Sequence, residues 1–265
     1  MTTLHLLIVA IVQGITEFLP VSSSGHLALI PHLAGIEDQG QTVDVAAHLG
    51  SLLAVLVYFR RDVLLLLTGC RDLASGKLQS GSARLVLCLA VATVPVLSGG
   101  AAVLSFGLVE TLRDPAVIGW ATILFGIVLY WADRIGPIER GMSDWRLRHA
   151  LIIGLWQVAS LVPGASRSGV AITGARMCGF GRRESVRIAM LMAIPTIIGA
   201  AVLSGASAWS GQGAAMFPEL ALVVILSFLS ALVALHFMIR LLDRFRFTPF
   251  VIYRVLVGCG LLLLA

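Results

Sequence analysis

Apolar runs long enough to cross a hydrocarbon core recur along this 265-residue chain, and that recurrence leaves few folds open. Inside a bilayer every backbone N–H and C=O must find its partner within the protein, so such runs read as helices. Six look like full crossings: Val45 to Phe59, Leu85 to Gly107, Ala116 to Ala132, Ile188 to Ala208, Pro218 to Met238 and Thr248 to Ala265. Composition agrees, with 58% hydrophobic residues, 12% charged and a mean hydropathy of +0.96, where a soluble domain carries about 25% charged residues. The longest polar stretches, Cys70 to Arg84 and Asp133 to His149, are too short to fold alone. Residues 1–265 are therefore expected to form a single all-α, polytopic membrane domain.

Two further apolar regions are interrupted: His5 to Leu19 then Leu27 to Gly35, and Ala150 to Leu161 then Val170 to Gly179. Each half is too short to span and each break is rich in Pro, Ser and Gly, the pattern of a re-entrant helical hairpin. Val63 to Gly69 is a shorter apolar piece, expected to lie along the cytoplasmic surface. The two interrupted regions match one another, since an offset of 144 places Ser22-Ser23-Ser24-Gly25 on Ser166-Arg167-Ser168-Gly169 and Gln13 on Gln157. An internal repeat follows, with halves of approximately 1–132 and 145–265. A hairpin plus three crossings per half inverts the second copy in the membrane.

Charge tests that layout. If Arg60 to Arg84 is cytoplasmic, counting crossings puts Asp133 to His149, Arg176 to Arg187 and Arg240 to Arg246 on the same side. Those four segments hold sixteen of the nineteen Lys and Arg residues. The opposite loops carry Glu37, Asp38, Asp44, Glu110, Asp114 and Glu219 against Arg113, a one-sided bias of the positive-inside kind. The net charge of +5 thus records orientation, and no nucleic-acid partner is expected. The first hairpin enters from outside and the second from the cytoplasm, so their tips can meet near the midplane. The four cysteines show no CxxC spacing and support neither a disulfide framework nor a zinc site. The N-terminal run lacks a basic n-region and a cleavage site and reads as retained structure.

In the first loop Gln13 and Glu17 fall at i and i+4 on one helical face, followed by Pro20, Ser22, Ser23, Ser24, Gly25 and His26. Burying an ionised Glu costs on the order of several kcal/mol unless it is paired, metal-bound or wet, so Glu17 marks a site. Its plainer reading is a helix cap at the membrane edge. In the second loop Arg167 stands among Gly164, Ser166, Ser168 and Gly169 before a helix start, offering a planar fork, hydroxyls and backbone N–H groups to a phosphate. A structural Arg167 paired with Glu17 is the competing reading, and such a pair is also compatible with the resting state of a site. His48, Ser51 and Arg254 are isolated polar residues in apolar spans and each is a candidate to line the cavity; His48 is read first as a hydrogen-bonded packing residue. Small residues such as Gly99-Gly100 and Gly199-Ala200-Ala201 suit close helix packing.

Glu17-Phe-Leu-Pro-Val-Ser-Ser-Ser-Gly-His26 together with Pro163-Gly-Ala-Ser-Arg-Ser-Gly169 resembles the undecaprenyl-diphosphate phosphatase family, the bacitracin-resistance (BacA-type) membrane phosphatases, over essentially the whole chain. The resemblance implies six spans plus re-entrant hairpins, and functional positions at Gln13, Glu17, Ser22, Ser23, His26, Ser166, Arg167 and Ser168. It further implies a multi-pass protein of the bacterial inner membrane whose periplasm-facing site recycles the lipid carrier of cell-wall synthesis. Two positions depart from the family pattern. Gln13 stands where many relatives have Glu, removing one anionic ligand, and Ala171 replaces the motif's final Thr, with Thr173 two residues on.

Phosphoanhydride hydrolysis needs charge neutralisation, a placed nucleophile and proton management. Arg167 with Ser22, Ser24, Gly164, Ser166, Ser168 and Gly169 is expected to bind the diphosphate. Ser23 is the first candidate nucleophile with His26 as general base, and water activated by Glu17 or His26 is the alternative. Glu17, with Gln13 as a neutral ligand, is expected to hold Mg²⁺ or Ca²⁺. The partners are a polyprenyl diphosphate and membrane lipids, with a homodimer left open. A polyprenyl-lipid flippase or small-anion transporter shares the inverted-repeat layout but has no need of Ser23 and His26.

Overall fold

The computed structural model describes residues 3–27, 40–208 and 217–264, and every named element among them is a helix. In chain order these are α1 (Thr3–Phe18), α2 (Gln41–Tyr58), α3 (Arg60–Ala74), α4 (Gly81–Ser105), α5 (Pro115–Ile135), α6 (Leu147–Val158), α7 (Arg167–Met177), α8 (Arg182–Ala208), α9 (Phe217–Leu242) and α10 (Thr248–Leu264). A short turn of helix, Val109–Leu112, precedes α5. Five of them, α2, α4, α5, α8 and α9, are long and apolar enough to cross a membrane. The sixth expected crossing is α10, which has 17 residues.

Helices start where a side chain can take the first free N–H groups. Ser80 Oγ accepts from the Ala83 N–H at the head of α4, and Asp114 Oδ1 accepts from the Ala116 and Val117 N–H groups at the head of α5. The expected crossings run past their apolar cores, as in α8, which begins at Arg182 rather than Ile188. The piece at 63–69 belongs to the longer α3, which buries only Asp62 and Gly69 and leaves Leu64, Leu65 and Leu67 exposed. That is the burial pattern of an amphipathic helix.

Both interruptions are present. In the first region α1 ends at Phe18 and helix resumes at 23–27; most of the expected half Leu27 to Gly35 lies outside the described residues, as do Glu37 and Asp38. In the second, α6 gives way to a 3₁₀ turn, Ala159–Leu161, and the chain turns through Gly164 into α7. Helix α7 packs against α5, α6 and α8, so a broken element occupies the interior.

Close backbone approach fixes the packing. Helix α9 lies on α1 and α2, where a Cβ at Gly14 would come within 2.5 Å of the Ser227 carbonyl and one at Gly50 within 2.3 Å of the Val224 carbonyl. In the other half α6 lies on α4 in the same manner, with Gly154 against the Ala92 carbonyl. Glycines at these seams let helix axes approach where no hydrophobic effect drives association. At the basic end, buried Arg176 donates to Asp133 Oδ1 and to the carbonyls of Gly136, Pro137 and Phe180. Asp133 also accepts from Arg182 Nε at 2.6 Å and from the Phe247 N–H, tying α5, α7, α8 and the turn before α10 together.

Candidate functional site

The carboxylate of Glu17 is the centre of the site. It lies at the end of α1 with its side chain 4% exposed, and every donor that reaches it comes from a different stretch of chain or from one helical turn away. Gln13 Nε2 donates to Oε2 at 2.7 Å across that turn, and Ser23 Oγ donates to the same oxygen at 2.7 Å from the loop. Arg167 Nη2 donates to Oε1 from the head of α7. The two loops, far apart in sequence, therefore meet on one carboxylate.

Ser22 and Ser166 shape the loops. Both hold positive φ, 72° and 70°, a conformation costly for a residue with a Cβ. In each loop that serine's Oγ accepts from the N–H three residues on, Gly25 in one and Gly169 in the other, and lies 3.2 Å from the hydroxyl two residues on, Ser24 or Ser168. The loops also clasp reciprocally. The Gly164 N–H donates to Ser24 Oγ, and Ser168 Oγ donates to the Leu19 carbonyl at 3.0 Å. The N–H groups of Gly164 and Gly169, expected to face a phosphate, thus already have acceptors. Gly164 has a further reason to be glycine: its φ is 95° and a Cβ would stand 2.4 Å from the Ile118 carbonyl of α5.

The His26 ring takes partners other than Ser23. Its Nδ1 must donate to the Ser22 carbonyl at 2.7 Å, because a carbonyl only accepts, and its Nε2 is 2.6 Å from Tyr253 Oη of α10, with the two rings stacked. The imidazole nearer Glu17 belongs to His48, whose Nε2 is 3.6 Å from Glu17 Oε2 while Nδ1 donates to the Asp44 carbonyl. Its hydrogen bond and a place on the cavity wall were both among the expected readings; its position beside the carboxylate was not, and no pattern in α2 distinguishes it.

Arg254 is the other contributor that sequence reasoning left among minor candidates. It is fully buried in α10 and has carbonyls rather than a carboxylate as partners: Thr122 on α5, Pro20 of the first loop at 3.4 Å, and Gly164 and Ala165 of the second at 2.9 and 3.0 Å. One planar fork thus holds both loop tips and the helix behind them. The signal available was a lone Arg in an apolar run, which is costly unless it serves a site.

A cavity of about 530 Å³ opens beside this centre. Arg167 and His48, which flank Glu17, form part of its wall, with Asp44 and Arg113; α2 and α8 supply an apolar side that includes Leu49, Leu52, Ile197 and Val202. As for a divalent ion, no cluster of three or more His, Cys, Asp or Glu occurs among the described residues. Gln13 Oε1, however, is buried without a hydrogen-bond partner four residues from Glu17. An orphaned amide oxygen beside a carboxylate suits a hard cation that takes its remaining ligands from substrate phosphates and water.

Residues 6–260 match the family model described as bacitracin resistance protein BacA. The chain is 51% identical over 265 residues to a protein of Dinoroseobacter shibae named undecaprenyl-diphosphatase, covering 100% of this chain and 99% of that one. It is 52% identical over 262 residues to the undecaprenyl-diphosphatase of Ruegeria pomeroyi, covering 99% and 98%. It is 41% identical over 268 residues to undecaprenyl-diphosphatase 2 of Stutzerimonas stutzeri, covering 100% and 98%.

Proposed function

Because the chain belongs to the bacitracin resistance protein BacA family, we infer that it is an undecaprenyl-diphosphatase, a membrane hydrolase that converts undecaprenyl diphosphate to undecaprenyl phosphate and inorganic phosphate. The observation that carries the chemistry is the Glu17 carboxylate, which gathers a hydroxyl from one loop and a guanidinium from the other.

Ser23 is the nucleophile and Glu17 its base, a reading supported by the 2.7 Å hydrogen bond between them. Attack of Oγ on the terminal phosphorus passes the serine proton to Glu17, breaks the bridging P–O bond and releases undecaprenyl phosphate. Water then attacks the phosphoserine and the P–Oγ bond breaks: protonated Glu17 returns its proton to Ser23 Oγ, and the proton given up by water leaves on inorganic phosphate. Arg167 exchanges Glu17 for phosphoryl oxygens when substrate enters, its bidentate fork matching their geometry. The hydroxyls of Ser24 and Ser168 add donors at the tips, Ser22 and Ser166 hold the loops in shape, and His26 braces the first loop against α10. Glu17 and Gln13 would hold Mg²⁺ or Ca²⁺, which supplies charge neutralisation at the diphosphate. The apolar side of the cavity suits the prenyl chain.

The site lies within the inner membrane between re-entrant hairpins of an inverted repeat, with six crossings and the opening toward the periplasm. The matched φ values at an offset of 144 support the repeat, as does the exchange of partners, α1 with α9 and α6 with α4. Helix α7 supports the depth: Arg176 is nine residues beyond Arg167, about 14 Å along a helix axis, or roughly half a hydrocarbon core. Phosphate release by purified protein given undecaprenyl diphosphate tests the reaction, run beside a lipid-translocation assay in liposomes. Translocation without phosphate release would replace the hydrolase with a carrier.

A further inference from the structure

We propose that Arg113 is a second phosphate-binding residue of this site, holding the phosphoryl group that is not transferred to Ser23 and thereby setting the preference for a diphosphate over a monophosphate. The assignment rests on the reaction and orientation inferred above.

Three observations converge on it. First, of the nineteen Lys and Arg residues, sixteen lie in the four basic segments, and the three outside them are Arg113, Arg167 and Arg254. Two of these are committed within the loop assembly, Arg167 to Glu17 and Arg254 to backbone carbonyls. Arg113 makes no side-chain hydrogen bond or ion pair among the described residues, yet it lines the same cavity as Arg167. A cation retained on the face otherwise depleted of cations calls for a ligand.

Second, the entering headgroup brings charge that the cavity wall must meet. Arg167 is matched by Glu17, and Asp44 shares the wall with Arg113. A diphosphate has two phosphoryl groups to hold, and Arg167, seated with the cation proposed at Glu17, is placed for the one that is transferred, so the second is left for a guanidinium further along the cavity wall. Arg113 is exposed, so its charge is available to an entering headgroup.

Third, the backbone beside it is fixed. Asp114 caps α5, accepting from the Ala116 N–H at 2.8 Å, and Pro115 occupies the first turn with its ring-locked φ. Arg113 is therefore presented from an anchored base, and its long side chain supplies the reach.

The test is steady-state hydrolysis of undecaprenyl diphosphate by the purified full-length protein and its Arg113→Gln and Arg113→Lys variants, with inhibition by pyrophosphate and by orthophosphate measured in parallel. Arg113→Gln is expected to raise KM about tenfold with kcat within about twofold of wild type, the split left by lost binding that does not change between ground and transition states. Pyrophosphate should lose its advantage over orthophosphate as an inhibitor of that variant. Arg113→Lys should stay within about threefold of the wild-type KM, because at an open rim a point charge serves. A Gln variant with unchanged KM, or one whose kcat falls as far as kcat/KM, overturns the assignment while leaving the hydrolase intact. Wild-type protein that releases no phosphate overturns the reaction and this assignment with it.

Discussion

Ser22 and Ser166 stand 144 residues apart and share a positive φ, 72° and 70°, each capping the N–H of the glycine three positions on. Two non-glycine residues in the left-handed region, each costing on the order of 1 kcal/mol, persist where surrounding structure over-determines them. Here the reciprocal bonds, Gly164 to Ser24 and Ser168 to Leu19, do so. The residues between the strained serines and their glycines include Ser23 in one loop and Arg167 in the other, so the same turn delivers a hydroxyl and a guanidinium to one carboxylate.

Arg167→Lys should lose most activity although its charge is kept. An ammonium is a point donor and cannot span two phosphoryl oxygens as the fork does, so a fall in kcat/KM of about a hundredfold is expected. Phosphate release over a range of substrate concentrations measures it; near-normal turnover would move phosphate binding elsewhere.

Ser23→Ala and Glu17→Gln should each reduce turnover by about a thousandfold or more, because one removes the nucleophile and the other its proton acceptor. His26→Ala should cost less, about tenfold, since its ring bonds to the Ser22 carbonyl and Tyr253 rather than to Ser23. Acid-quenched enzyme should carry phosphoserine at residue 23 by mass spectrometry. Robust hydrolysis by Ser23→Ala would instead make water the attacking group.

Removing the Arg254 fork leaves buried carbonyls of three segments without their donor. Arg254→Gln should lower stability by about 3 kcal/mol and depress kcat together with it. Thermal unfolding in detergent, alongside activity at low temperature, checks both; unchanged stability would mean that the loops are held by their serines alone.

Gln13→Glu should lower the Mg²⁺ concentration needed for half-maximal activity, since a second carboxylate beside Glu17 strengthens a hard-cation site. At very low Mg²⁺ the same variant should be slower than wild type, because two adjacent carboxylates repel. A metal titration of both proteins reads the crossing of the two curves, and superimposable curves would remove residue 13 from cation binding.

In a background lacking native cysteines, Thr111→Cys should react with an impermeant thiol reagent added from outside, while Ser143→Cys should react only after permeabilisation. Both positions are exposed, so reactivity reports sidedness. Labelling of residue 143 from outside would reverse the orientation.

Much of this was legible in the sequence because lipid imposes simple rules. Apolar runs marked α2, α4, α5, α8 and α9, and the Pro, Ser and Gly breaks marked the loops between α6 and α7 and after α1. The pairing of Glu17 with Arg167 was weighed from charge alone and is present. What escaped depended on direction rather than composition. Nothing in the run around His48 tells that its Nε2 turns toward Glu17, and nothing after His26 tells that Tyr253 takes its other nitrogen. The start of α5 fell within one residue of its expected place, whereas α8 begins six residues before its apolar run, at Arg182, where polar residues continue the helix.

Arg254 reaches back 234 residues to Pro20 and 90 to Gly164. Both loops are therefore synthesised well before the side chain that joins them leaves the ribosome. A nascent chain arrested short of α10 holds every candidate reacting group and the bonds between the loops, yet lacks the guanidinium that ties both loop tips to α5. Hydrolytic competence thus arrives late in translation, and a product truncated ahead of residue 254 should be a target for membrane proteases rather than a slow enzyme.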